Sequence, residues 1–178
     1  MANGTSGQGG RRAFMTAGVG GGLAVLGSGA TASGTTQQDA GPGQSDLPVR
    51  EHRNKAATLR AFKRQNAGGD IYEILHDDVE WKIVNGRTYV SKAEFLAEGS
   101  APIMDRLATT LVMTISDLWT DGDTVIIRFE GDSTATDGVA YHNEYCWVWE
   151  MRGGLVTRCY AFLDMMAVRE LVDRIDLG

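Results

Sequence analysis

Histidine, cysteine and proline are scarce in this chain, and each scarcity excludes something. The three histidines, His52, His76 and His142, lie far apart, without the short spacing by which imidazoles share a metal ion, so no metal site is expected. Two cysteines, Cys146 and Cys159, are too few for a disulfide framework. No run of about 18 apolar residues occurs, so no stable membrane span is expected. Positive charge is outnumbered, with 17 Lys and Arg against 23 Asp and Glu and a net charge of -6. An acidic surface repels phosphate backbones, so nucleic acid is not an expected partner. No P-loop, dinucleotide fingerprint or Ser-His-Asp arrangement is evident, and no cofactor is expected. What the chain has in excess is glycine, 23 against 3 prolines, and more than half of it falls before residue 44. With 178 residues there is room for one domain and a biased leader.

The leader has an internal order. Gly10-Arg11-Arg12-Ala13-Phe14-Met15-Thr16 resembles a twin-arginine export signal. A mildly apolar, glycine-diluted stretch follows to Gly29, and Ala30-Thr31-Ala32 offers the small-x-small pattern of a signal-peptidase site. A plain Gly-rich tail is the competing reading. Residues 1–32 are accordingly expected to be a signal peptide, 33–46 a polar linker and 47–178 the domain. Cleavage after Ala32 removes two arginines and no acid, leaving 15 bases against 23 acids, net -8. The address is export, to the periplasm or the medium.

Within the domain, Ala56, Leu59 and Phe62 among charged residues predict an amphipathic helix over 49–66, ending at Gly68-Gly69. Asp70 caps a short second helix through Leu75, and His76-Asp77-Asp78 breaks it. Residues 79–84 read as a strand, Asn85-Gly86 as a turn, and Ser91 with Glu94 as a capping box opening a third helix. From Leu107 the apolar period becomes two, giving strands near 108–119, 123–133, 140–151 and 155–163, separated by Asp-Gly and Gly-Gly turns. Met165 to Ile175 closes the chain as a helix, with Asp164 at its N-cap. Helices followed by an antiparallel meander predict an α+β layer fold.

This order, with Asn66-Ala67-Gly68-Gly69-Asp70, Asp77-Asp78-Val79-Glu80-Trp81, the run Tyr141 to Trp149, Gly154-Leu155-Val156 and Phe162-Leu163-Asp164, resembles the SnoaL-like branch of the nuclear-transport-factor-2-like proteins over about residues 50–175. The resemblance implies a cone: N-terminal helices on a curved, mainly antiparallel sheet around an apolar pocket for small organic molecules. It implies metal-free cyclisation, isomerisation, dehydration or epoxide opening, or a non-catalytic association module, and a homodimer that covers the open sheet. Fold alone selects none of these.

Alternation separates Arg128, Glu130 and Asp132 from Val125, Ile127 and Phe129, and His142, Glu144 and Cys146 from Asn143, Tyr145, Trp147 and Trp149. Counting from the resemblance places the even-numbered side inward. Arg128 would then stabilise an oxyanion, with Glu130, His142 and Glu144 as acid–base groups. The same pattern suits a solvated sheet face carrying cross-strand ion pairs. Trp81, Ile83, Phe62, Cys146 and Leu163 are the expected pocket walls, and the other aromatic residues belong mostly to the core or an interface.

By the same count, the aspartate base of the ketosteroid isomerases falls at Ile83, their oxyanion-hole tyrosine near Ala61 or Phe62, and their protonated aspartate near Cys146. The further catalytic aspartate of the limonene epoxide hydrolases, on their last strand, and the glutamate of the phenazine-pathway relatives fall near Ala161. None is retained, although Arg128-Phe129-Glu130 keeps the arginine–x–acid pair of the epoxide hydrolases. If Met151 pairs with Gly154, Cys146 lies opposite Cys159, close enough for a disulfide in an oxidising compartment; two reduced, buried thiols fit equally. The expected ligand is a small apolar carbonyl or polyketide-like compound. The competing functions are cofactor-independent turnover, ligand sequestration, and a dimerisation scaffold.

Overall fold

Four consecutive segments in which every second residue is apolar become four strands of one sheet in the computed structural model, which describes residues 46–178. The expected export signal at 1–32 and residues 33–45 of the expected linker lie outside the described residues. Helix α1 (Leu47–Asn66) buries Asn54, Ala57, Thr58, Ala61, Phe62 and Gln65, a stripe three and four residues apart, against the sheet. It ends where the amides of Gly68 and Gly69 turn back onto the carbonyls of Gln65 and Arg64. Gly68 sits at φ 82°, a conformation glycine takes without strain.

The Asp70 carboxylate accepts from the Tyr72 amide at 2.7 Å and caps a 3-10 turn, Ile71–Ile74. Strand β1 (Leu75–Ile83) and the short β2 (Thr88–Tyr89) flank the turn at Asn85-Gly86. Three helical pieces follow, α2 (Lys92–Glu94), a π-helical turn (Phe95–Ser100) and α3 (Ala101–Met104). The rest is β3 (Val112–Asp121), β4 (Thr124–Thr134), β5 (Ala140–Arg152), β6 (Leu155–Leu163) and α4 (Met165–Arg174). The sheet order is β2-β1-β6-β5-β4-β3, antiparallel except where β1 runs parallel to β6. The architecture is the expected α+β curved sheet with helices on one face.

Local chemistry placed the elements, and two details differ from the sequence reading. The strand expected from Val79 begins at Leu75, because His76, Asp77 and Asp78 all stay exposed and the β1–β6 register shifts between Leu75 and Glu80; the polar run leads irregularly into the strand instead of breaking the chain. The Ser91 hydroxyl does accept from the Glu94 amide, at 3.1 Å. The Glu94 carboxylate, however, takes the Val90 amide at 2.8 Å, one residue before the position a capping box uses. At α4 the Asp164 carboxylate accepts from the Met166 amide at 2.8 Å, the expected cap.

The cysteines do not meet. The β5–β6 turn pairs Arg152 with Leu155, and a register shift between Glu150 and Met151 then sets Trp149 opposite Cys159 and Cys146 opposite Phe162. Cys159 points into the core, fully buried, whereas Cys146 lies on the opposite, outer face. Burial also pushes the Cys159 thiol well above its usual range, so it is an inert packing group. Phe62 is likewise core: it meets Phe129 edge-on at 5.0 Å and packs against Trp147 and Trp149.

Candidate functional site

One end of the sheet curls over the helical stretch and leaves a hollow. Trp81 on β1 stacks on Phe95 with ring centroids 4.2 Å apart and planes 18° from parallel, and it meets Trp147 of β5 edge-on at 5.1 Å. The close approach of the helical stretch depends on Gly99: a Cβ there would stand 2.7 Å from Phe95 Cδ2 and 2.9 Å from Tyr89 Cε2. The wider π-helical turn rotates Gly99 and Ser100 inward, where both are buried. Such turns often mark functional positions.

The hollow is bounded by aromatic walls (Trp81, Phe95, Trp147) and by aliphatic ones that include Ile83, Ala161 and Leu163. About 440 Å³ lies between its lining atoms and towards its mouth. Most of that space lies towards the mouth, and the interior itself is narrow. Its polar lining comes from Tyr72, Tyr145 and Ser100, and none of the lining residues is Asp, Glu, His, Lys or Arg.

Both phenols are held neutral. Burial pushes Tyr72 up to about 12, with the Ser100 hydroxyl pulling the other way. Burial raises Tyr145 well above the usual 10, and the neighbouring Tyr141 and Tyr72 add to it. Tyr145 is oriented from behind: its hydroxyl lies 3.2 Å from that of Tyr141, which accepts from Asn143 Nδ2 at 3.0 Å. Asn143, 1% exposed, also ties down the Asp164 backbone, donating to its carbonyl and accepting from its amide, both at 3.0 Å. The arrangement can donate hydrogen bonds to a ligand oxygen and stabilise charge developing there. It offers no carboxylate or imidazole to take a proton.

The expected catalytic cluster faces the other way. Arg128, Glu130, His142 and Glu144 are exposed on the outer face of the sheet. Arg128 pairs with Asp117 at 3.3 Å, His142 with Asp132 at 2.8 Å, and Glu130 stands opposite Glu144. The Asp132 carboxylate raises the His142 pKa above the usual 6.5, a surface effect of small energetic weight. Hydrophobic burial decides the orientation: Val125, Ile127, Phe129, Tyr145, Trp147 and Trp149 present far more apolar surface than the even-numbered side, so they turn inward. Cys146, on that even side, leaves the pocket wall with the cluster.

Trp81, Ile83 and Leu163 do line the hollow. Ile83 and Ala161, where counting from relatives set carboxylates, both line it as well, so the missing proton carriers are missing from the interior itself. The sequence reading passed over Tyr72, Ser100 and Tyr145 as site residues. Tyr145 was detectable, because it alternates in phase with Trp147 and Trp149. Nothing local marks Ser100, whose direction is set by the π-helical turn.

The fold and its hollow define a cone-shaped small-molecule-pocket domain of the nuclear-transport-factor-2-like class. The family profile described as the SnoaL-like domain matches residues 56–159, and the chain belongs to that family. Similar solved structures include a candidate SnoaL-like polyketide cyclase from Jannaschia sp. CCS1, at 14% identity over 71% of this chain and 96% of that one, with a TM-score of 0.59. TerC, crystallised with polyporic acid, shares 23% identity over 68% of this chain and 98% of its own, with a TM-score of 0.56. A nuclear-transport-factor-2-like protein of unknown function from Burkholderia pseudomallei K96243 shares 15% identity over 67% and 97%, with a TM-score of 0.57. No curated protein matches the chain at a significant level. Among the described residues, no helix is long and apolar enough to cross a membrane.

Proposed function

We propose that this protein binds a small apolar compound built on one ring and carrying a carbonyl group, with the ring against the wall formed by Trp81 and Trp147 and the oxygen accepting from Tyr72, Tyr145 or Ser100. The observation that carries the reading is the pair of neutral phenols and one buried hydroxyl as the polar lining of an otherwise apolar hollow. Sequestration is the first reading, because Ile83 and Ala161 leave no base beside the ligand. Turnover by cyclisation, isomerisation or dehydration is the second. It is favoured by the Asn143–Tyr141–Tyr145 chain, which aims one phenol as an enolate stabiliser for a reaction whose base comes from water or from the substrate.

Acetophenone is a fitting probe, read by quenching of tryptophan fluorescence. Tyr145→Phe and Ser100→Ala should each weaken its binding about three- to tenfold, the weight of one net hydrogen bond of roughly 0.5–1.5 kcal/mol. Arg128→Ala, on the outer face, should leave it unchanged. Equal loss from Arg128→Ala, or no binding at all, would remove the hollow as the site.

Export by the twin-arginine route is supported by Arg11-Arg12 and the small residues at 30–32, and a homodimer by Trp119 and Phe162, 52% and 46% exposed on the outer sheet face. The exported chain should sediment at twice its monomer mass, and Arg11→Lys with Arg12→Lys should retain it in the cytoplasm. A monomer, or undiminished export, refutes the respective half. The acidic net charge makes nucleic acid an unsuitable partner.

A further inference from the structure

A second concavity, the antechamber, adjoins the hollow. Tyr72, Ser100 and Met104, which wall the apolar interior, also wall the antechamber, together with Gln65, Gly68-Gly69, Asp70 and Thr110. This outer chamber holds about 600 Å³, counted with its opening to solvent. Its lining is still mostly apolar but is more polar than the interior's. It presents a carboxylate, a hydroxyl and glycine backbone, where the interior presents indole and phenyl rings.

The antechamber is braced by side-chain bonds to the backbone. Gln65 donates to the Leu111 carbonyl at 3.1 Å and accepts from the Ile71 amide at 3.3 Å, so both ends of its amide are engaged as a strut. Next to it, Asn66 donates to the Met113 carbonyl at 2.8 Å and accepts from the Met113 amide at 2.7 Å. The Asp70 carboxylate caps the 3-10 turn that carries Tyr72. These bonds fix the end of α1, the start of β3 and the phenol-bearing turn relative to one another. Of the three residues common to both chambers, Met104 is the one built to yield, since an unbranched thioether changes rotamer at little cost.

We propose that Tyr72, Ser100 and Met104 form a waist through which the ligand passes, so that the site takes a compound with three parts: an apolar ring in the interior, a carbonyl oxygen at the waist, and an uncharged hydrophilic arm in the antechamber beside Asp70 and Thr110. The inference rests on the reading that the interior holds the ring. A carbonyl at the waist meets the Tyr72 and Ser100 hydroxyls, and an arm attached to it points outward. An anionic arm is disfavoured by the exposed Asp70 carboxylate.

The test uses two amides on the whole chain, by calorimetry: N-methylbenzamide, which ends at the waist, and N-(3-hydroxypropyl)benzamide, whose arm extends beyond it. The longer amide should bind at least fivefold more tightly. Thr110→Trp, which fills the antechamber without touching the interior, should weaken the longer amide about tenfold and change the shorter by less than twofold. Thr110→Phe repeats the test if the tryptophan variant does not fold, and the preference of the unaltered protein needs no variant. Equal affinity for the two amides, or equal sensitivity to Thr110→Trp, overturns the spanning ligand while leaving the interior site standing. Failure of both amides to bind overturns the interior reading and the inference with it.

Discussion

Trp81→Ala is expected to cost about 3–5 kcal/mol of stability, the range for truncating a large buried aromatic side chain. Trp81 is 2% exposed. It stacks on Phe95 and meets both Tyr72 and Trp147 edge-on, at 6.1 and 5.1 Å. Removing it therefore breaks three ring contacts, each worth about 0.5–1.5 kcal/mol beyond the buried area. The neighbours cannot collapse into the space, because Phe95 is set by the π-helical turn and Trp147 by strand β5. Against a typical total of about 5–15 kcal/mol, the loss should be plain in urea denaturation. Trp81→Phe keeps a ring in place and should cost less than about half as much. A loss below about 1 kcal/mol for Trp81→Ala would mean that the aromatic wall is not a packed unit. The alanine variant should also lose acetophenone, since the ring it would stack against is gone.

Asn143→Leu should be nearly as severe, for a different reason. Leucine matches the size of the asparagine but makes none of its three hydrogen bonds, stranding the Asp164 amide and carbonyl and leaving the Tyr141 hydroxyl with Tyr145 as its remaining partner. A buried orphan costs about 1–3 kcal/mol. With Asp164 partly open to water, the sum should be about 2–4 kcal/mol in equilibrium unfolding. The damage should be local as well as global. Amide exchange should accelerate at Met166 and Ala167, the first turn of α4, which depends on the position of Asp164. Asn143→Asp is the sharper control. It can still accept from the Asp164 amide but donates nothing, and it buries a charge, so it should be no milder than leucine. Native exchange rates at α4 in both variants would show that Asn143 does not anchor that helix.

The same residue shows why part of the site escaped the sequence reading. Alternation sets Asn143 on the face opposite His142 and Glu144, together with Tyr145 and Trp147. The grouping matches the structure; the face given to the pocket does not. A period of two sorts side chains into two sets without saying which set faces in, and a slip of one residue in a count from distant relatives exchanges them completely. The buried apolar area of the odd-numbered set was the better guide, and it was available in the sequence. The cysteine pairing failed in a similar way. The turn pairs Arg152 with Leu155, two residues off the expected register, and the shift between Glu150 and Met151 adds one more, leaving Cys146 opposite Phe162, three residues from Cys159; the irregular β5–β6 ladder has no marker in that segment's composition.

The sequence by itself determined the element order, the α+β class and the caps at Asp70, Ser91 and Asp164, because helix ends, tight turns and apolar periodicity are local in the chain and their physics acts over a few residues. It also determined that Ile83 and Ala161 carry no proton-transfer group. Only the tertiary structure decided which sheet face encloses the hollow, that Tyr72, Ser100 and Tyr145 meet there from three separate segments, and that a π-helical turn aims Ser100 inward. Those outcomes depend on register, burial and the relative placement of elements distant in sequence, and the free energy that selects them exists only once the layers pack.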